Sequence, residues 1–153
     1  MNITKATGNR AIRLCLDVAR SLTGYFTESG LEEMARDFKV HDLYVVEEDG
    51  AALGFISINR KSSLAAEISW LAVRQESHRS GIGSRLLRTA VDDLTKDGFQ
   101  ILEVKTLATT VDYAPYERTH AFYRKHGFIS LDIITPFPGW QPDCPCELYV
   151  KIL

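Results

Sequence analysis

Residues 66 to 87, AEISWLAVRQESHRSGIGSRLL, place an apolar strand-like run, a polar turn with two glycines and the opening of an amphipathic helix in immediate succession. A strand that passes through a glycine turn into a helix leaves the helix's first backbone N–H groups without intrahelical partners, aimed into the turn. The helix dipole adds positive potential at the same point. A chain built round this stretch therefore carries a ready-made anion site, for phosphate above all.

The periodicity on either side predicts the remaining elements. A short strand over 2 to 7 precedes a helix over 9 to 22, in which Ile12, Cys15, Leu16 and Ala19 make one face and Arg10, Arg13, Asp17 and Arg20 the other. A weaker helix is expected at about Leu31 to Asp37. Leu43 to Val46 and Leu53 to Ile58 read as strands joined by a hairpin at Asp49-Gly50, and Glu67 to Val73 as a third long strand. Ile82 to Lys96 is helical by its stripe of Ile82, Leu86, Leu87, Ala90, Val91 and Leu94. The strand at Ile101 to Leu107 must then run parallel to the strand before that helix if the helix is a standard crossover. A loop with Pro115, a short helix at about Tyr116 to Lys125 and two strands at about 128 to 134 and 147 to 152 complete the chain. This order predicts an α/β (α+β) layer architecture: a mixed, mostly antiparallel sheet with one parallel β-α-β crossover and helices on both faces.

With 153 residues, 45% hydrophobic and 25% charged, the chain reads as one folded domain over 1 to 153. Its net charge of -2, with Lys and Arg dispersed, gives no expectation of nucleic acid. No apolar run approaches the length of a membrane span. Three cysteines, an odd number, point to a reducing compartment and hence to the cytoplasm. Cys144-Pro145-Cys146 has no second Cys/His pair at zinc spacing, so ordinary strand cysteines are expected and no metal.

Two nucleotide-binding patterns fail on specific residues. A dinucleotide fingerprint needs a glycine three residues after Gly83, where Leu86 stands, and Glu103 falls within a strand rather than at its end. A P-loop needs Gly-Lys followed by Ser or Thr, which is absent.

The strand AEISWLAV, the turn RQESHRSGIGSRLL and the later segment YERTHAFYRKHGF together resemble the GNAT superfamily of N-acetyltransferases, whose signature is Q/R-x-x-G-x-G/A. His78 occupies the position of the Gln or Arg. The resemblance spans about Leu43 to the C-terminus and implies acetyl-CoA as co-substrate and an amine as acceptor. It implies that the backbone of His78, Arg79, Ser80, Gly81, Ile82, Gly83 and Ser84 cradles the CoA diphosphate, with glycine permitting the close approach. Any contact from the His78 side chain to phosphate would depend on pH. Leu71, Ala72, Val73 and Thr106 would border the pantetheine where two strands part. The Leu71 N–H would meet the thioester oxygen as it gathers charge.

An amine of pKa ~10.4 is mostly protonated at neutral pH, and freeing its lone pair costs about 4 to 5 kcal/mol. Glu67, a carboxylate within an apolar strand and at the position of the base in the histone-acetylating branch, is the first candidate to lower that obstacle. Glu103 and a water chain are alternatives. Tyr123 matches the tyrosine of the family's Tyr-x-x-x-Gly-Phe, which returns a proton to the departing thiolate, and would also touch the cofactor. Asp112, Tyr113, Tyr116 and Trp140 would border the acceptor, whose identity the residues leave open. A non-catalytic acyl-CoA-binding module, a peptide-binding domain on an open sheet edge, and a homodimer are all compatible with the same pattern.

Overall fold

The computed structural model describes all 153 residues. Its elements are β1 (Asn2–Ala6), α1 (Asn9–Ser21), α2 (Glu28–Asp37), β2 (Asp42–Glu48), β3 (Ala51–Arg60), β4 (Ala65–Val73), a 3-10 turn (Gln75–Ser77), α3 (Ile82–Lys96), β5 (Ile101–Leu107), α4 (Ala114–Lys125), β6 (Ile129–Ile134) and β7 (Cys146–Ile152). The strands form one sheet in the order β1-β2-β3-β4-β5-β7-β6. All pairings are antiparallel except β4 with β5, which α3 connects as a crossover. This is the mixed α/β architecture expected from the sequence.

The helices divide between the two faces. Ala11, Cys15, Val18 and Ala19 of α1 join Leu31 and Met34 of α2 against Leu43, Val45, Phe55 and Ala72. On the opposite face Ile82, Leu86, Leu87, Ala90 and Leu94 of α3, with Tyr123 of α4, pack on Tyr44, Ile56, Ile58, Ile68, Leu102 and Val104. Apolar residues on both sides of the central strands make two separate cores. None of the helices is long and apolar enough to cross a membrane.

The bounds of α3 and β5 fall where the periodicity puts them, and the β2–β3 hairpin turns through Asp49 and Gly50, both at positive φ. Two helix starts differ from expectation. α2 begins at Glu28 rather than Leu31, because Thr27 caps it, its Oγ1 accepting from Gly30 N–H at 3.0 Å, which places the glycine in the helix's first turn. α4 begins at Ala114, with Pro115 inside its first turn, where a missing N–H costs nothing.

The sheet's main irregularity lies in β4. Ser57 of β3 pairs with Trp70 and Ile58 with Ile68, so Ser69 is an extra residue, a bulge. β4 and β5 are paired only from Ala65–Ile101 to Ile68–Val104. Beyond that point the strands part.

Candidate active site

The split between β4 and β5 sets out the backbone groups available there. Arg74 N–H donates to Leu53 C=O at 2.8 Å, which fixes the alternation of the antiparallel β3–β4 ladder. Trp70 and Ala72 then bond toward β3, while the N–H and C=O of Leu71 and Val73 turn outward into the split. On β5, Ala108 N–H donates to Pro145 C=O and Ile101 N–H to Leu64 C=O, so Thr106 is bound to β7 and Lys105 and Leu107 face the split.

Two of those outward carbonyls already have partners. His78 Nε2–H donates to Val73 C=O at 2.7 Å. His120, buried on α4, donates Nε2–H to Leu107 C=O at 2.7 Å, with Thr106 Oγ1 at 3.1 Å from the same nitrogen. The His78 side chain thus closes back on the strand, leaving its backbone as the group the resemblance assigns to phosphate. Thr106 is tied to His120 and β7, and Ala72 is buried in the core beneath α1 and α2. Leu71 and Val73 keep their N–H groups directed into the gap.

At the turn, Arg79 and Gly81 both have positive φ, 65° and 82°, so the chain reverses sharply before α3. Gly81 is the N-cap and no side chain caps the helix. The amides of Gly81, Ile82, Gly83 and Ser84 are the orphans of the first turn, and neighbouring hydroxyls point elsewhere. Ser80 Oγ donates to Ser77 C=O, and Ser84 Oγ lies 2.8 Å from His126 Nε2. Burial, followed by Lys125, Arg88 and Lys151, lowers His126 from its ordinary imidazole value, which favours the neutral ring beside that serine. The Arg79 side chain is exposed. Ile82 anchors the turn from below, 2% exposed in the core.

The split opens on the α1–α2 face into a cavity of about 570 Å³. Tyr25 and Phe26 from the α1–α2 loop, Glu33 and Asp37 of α2, Glu67 to Leu71 of β4, Lys105 of β5, Tyr116 and Tyr123 of α4, and Phe137 and Trp140 of the β6–β7 loop line it. The Tyr25 and Tyr116 rings stack across it with centroids 6.0 Å apart, and Asp37 accepts from the Trp70 indole at 2.8 Å. Asp112 and Tyr113, expected to border the acceptor, are absent from this wall; Tyr116 and Trp140 are present.

Tyr123 is 5% exposed, its ring held between Phe122 and Phe128. Its hydroxyl makes no hydrogen bond within the protein, yet the residue lines the cavity. Burial raises the phenol well above its ordinary range, so it is protonated at neutral pH.

Glu67 does not sit in the apolar pocket its strand suggested. Its Oε2 is 2.9 Å from Lys105 Nζ, which is 3.7 Å from Glu103 Oε1, itself 2.9 Å from Lys61 Nζ. Glu67 and Glu103 stand in register across β4 and β5, so both carboxylates emerge on one face and cations collect between them. Sequence reasoning missed a further group on this wall, His41, which lies 3.0 Å from the bulge residue Ser69.

Residues 39–130 match the profile of the acetyltransferase (GNAT) domain. No curated protein matches the chain. Among solved structures, a protein assigned to the GNAT family from Desulfovibrio desulfuricans superposes with TM-score 0.86 at 19% identity, over 99% of this chain and 98% of that one. An aminoglycoside 6'-N-acetyltransferase complexed with coenzyme A gives 0.78 at 18%, over 99% and 97%. The ribosomal-protein-S18-alanine N-acetyltransferase of Escherichia coli gives 0.77 at 17%, over 99% and 92%. At these identities the likeness is one of fold, while the domain profile spans more than half of the chain, which therefore belongs to the GNAT family of acetyltransferases.

Proposed function

We propose that this protein transfers an acetyl group from acetyl-CoA to a primary amine, by direct attack with both substrates bound. The observation that carries the reading is the β4–β5 split, which joins an uncapped helix N-terminus at one end to an acid-lined cavity at the other. A coenzyme A complex of an aminoglycoside acetyltransferase with the same fold supports it.

Acetyl-CoA would supply a thioester whose carbonyl carbon accepts the amine and whose sulfur leaves as a thiolate. The amides of Gly81 to Ser84, with that of Arg79, would hold its diphosphate, the glycines giving room for approach, while Ser80 N–H donates to Ser77 C=O. Leu71 N–H, free of the β3 ladder, would donate to the carbonyl oxygen as negative charge builds there. Tyr123 would give its proton to the thiolate. The burial that raises the phenol raises a neighbouring thiolate in the same sense, since both anions lose solvation.

The cavity also favours a cationic acceptor. Glu33, Asp37 and Glu67 face Lys105 as the single cation of the wall, and neither Glu33 nor Asp37 has an ion-pair partner. Aromatic rings cover the remainder, suiting a cation with an apolar body.

The test incubates the protein with acetyl-CoA and a panel of amines and follows thiol release. Release that requires an amine supports transfer. Tight CoA binding without turnover on any amine would instead identify a binding module.

A further inference from the structure

We propose that His41, at the foot of β2, is the general base that takes the acceptor's proton, and that Ser69 and Ser57 hold it in the required tautomer. This rests on the acetyl-transfer reading above. Three polar contacts converge on the bulge residue: Ser69 Oγ lies 3.0 Å from His41 Nδ1, 2.9 Å from Ser57 Oγ and 3.1 Å from Ser57 C=O. For all three contacts to be hydrogen bonds at once, the single Ser69 hydroxyl proton goes to Ser57 C=O, since a carbonyl can only accept. Ser69 Oγ must then accept from Ser57 O–H and from His41 Nδ1–H.

That arrangement leaves the imidazole lone pair on Nε2. This nitrogen has no hydrogen-bond partner in the protein and is not fully buried. His41 lines the cavity with Glu67, Ser69 and Leu71. Its backbone is fixed as well, His41 N–H donating to Asp37 C=O at 2.8 Å where α2 ends. Ser69 precedes Leu71 by two strand residues, about 6 to 7 Å. The ring and Leu71 thus share one wall of the cavity, where the amine at Leu71 would pass its proton to the ring directly or through one water.

Glu67 is the poorer acceptor of that proton, because protonation would dissolve its 2.9 Å pair with Lys105 and leave that ammonium only the longer, 3.7 Å contact with Glu103. His41 gives up nothing when it accepts. In the step, an N–H bond of the ammonium breaks with its electron pair staying on the amine nitrogen. An Nε2–H bond forms, and the imidazolium later returns the proton to water. The charged groups facing the ring across the cavity are Glu33 and Asp37 from α2, Glu67 from β4 and Lys105 from β5.

Two measurements test this. Long-range proton–nitrogen NMR of the free protein, at a pH where the ring is neutral, should show Nδ1 protonated and Nε2 bare; the reverse tautomer would overturn the assignment without any turnover being measured. In steady-state assays, His41→Gln should lower kcat by 10²-fold or more near neutral pH. Its rate should climb about tenfold per pH unit as free amine accumulates, and added imidazole should partly restore His41→Ala. Ser69→Ala should lose a few-fold in kcat and populate the other tautomer. Wild-type turnover with an unchanged His41→Gln profile would remove His41 alone, whereas wild-type protein that releases no thiol with any amine would remove the acetyl-transfer reading beneath it.

Discussion

Ile68 of β4 pairs with Val104 of β5, and the residue that follows, Ser69, is a bulge after which the two strands no longer meet. One extra residue thereby turns the outward groups of Leu71 and Val73 into an open strand edge inside the sheet. Along that edge lies the acid-lined cavity, with Tyr123 in its wall.

Because the Tyr123 hydroxyl has no partner in the protein, Tyr123→Phe should fold with almost unchanged stability. Its kcat should fall by about 10²-fold or more while the affinity for acetyl-CoA holds. Stopped-assay kinetics beside calorimetric binding would check this. An unaltered kcat removes Tyr123 as the acid.

The two glycines of the turn should respond differently to alanine. Gly81 has φ 82°, so Gly81→Ala costs about 1 to 2 kcal/mol of stability from backbone conformation alone, although nothing lies within 4 Å of the new Cβ. Gly83 is helical, and a Cβ there meets Phe122 Cε2 and Cζ at 3.5 and 3.6 Å and Val73 Cγ2 at 3.9 Å, all ordinary contacts. Gly83→Ala should therefore keep or gain stability, up to ~1 kcal/mol, and still weaken CoA binding by crowding the diphosphate. Urea melts paired with CoA titrations separate the two effects. Equal losses of stability would contradict this account of Gly83.

Much of this was legible in advance, and what escaped has physical causes. Helix α3 and strand β5 were plain because their apolar stripes are long and end at Asp97-Gly98 and at the loop toward Pro115. The parallel pairing followed from the crossover between them. The Ser69 bulge was invisible, since a serine in a strand looks the same whether or not the neighbouring strand keeps step. His41 was invisible for the same reason: its partner lies 28 residues away and meets it only through β3. Glu67 looked like an isolated acid because Lys105, its partner, belongs to another strand brought alongside only by the register with Glu103.

Gly54, in the middle of β3, shows how tightly the turn is seated. A Cβ there would lie 3.0 Å from Ala72 O and 3.2 Å from both Ile82 Cγ2 and Val73 Cγ2. Gly54→Ala should cost about 1 to 3 kcal/mol by overpacking, read as a lower urea midpoint, and should also loosen the start of α3. A variant as stable as wild type would show that α3 can shift freely on the sheet.

Glu147 should govern part of the acid stability. It is 4% exposed and accepts from Ser130 Oγ at 2.6 Å and from Thr109 N–H and Oγ1 at 2.8 Å each. Burial pushes its carboxyl up, but the hydrogen bonds from Ser130 and Thr109 together pull it below the usual range. A group held below its unfolded value contributes stability that is fully present above the ordinary carboxylate range and disappears as pH falls through the folded-state value. Glu147→Gln should therefore be less stable than wild type at neutral pH, and the gap should close on acidification. A gap that stays constant with pH would contradict this.

The account depends most on the turn at Arg79 to Ser84. Amide hydrogen exchange of the protein, measured residue by residue with and without saturating coenzyme A, addresses it directly. The amides of Gly81, Ile82, Gly83 and Ser84 should slow markedly on binding, together with those of Leu71 and Val73 in the split. Coenzyme A that binds and leaves these six amides unchanged, or that does not bind, would contradict the central claim.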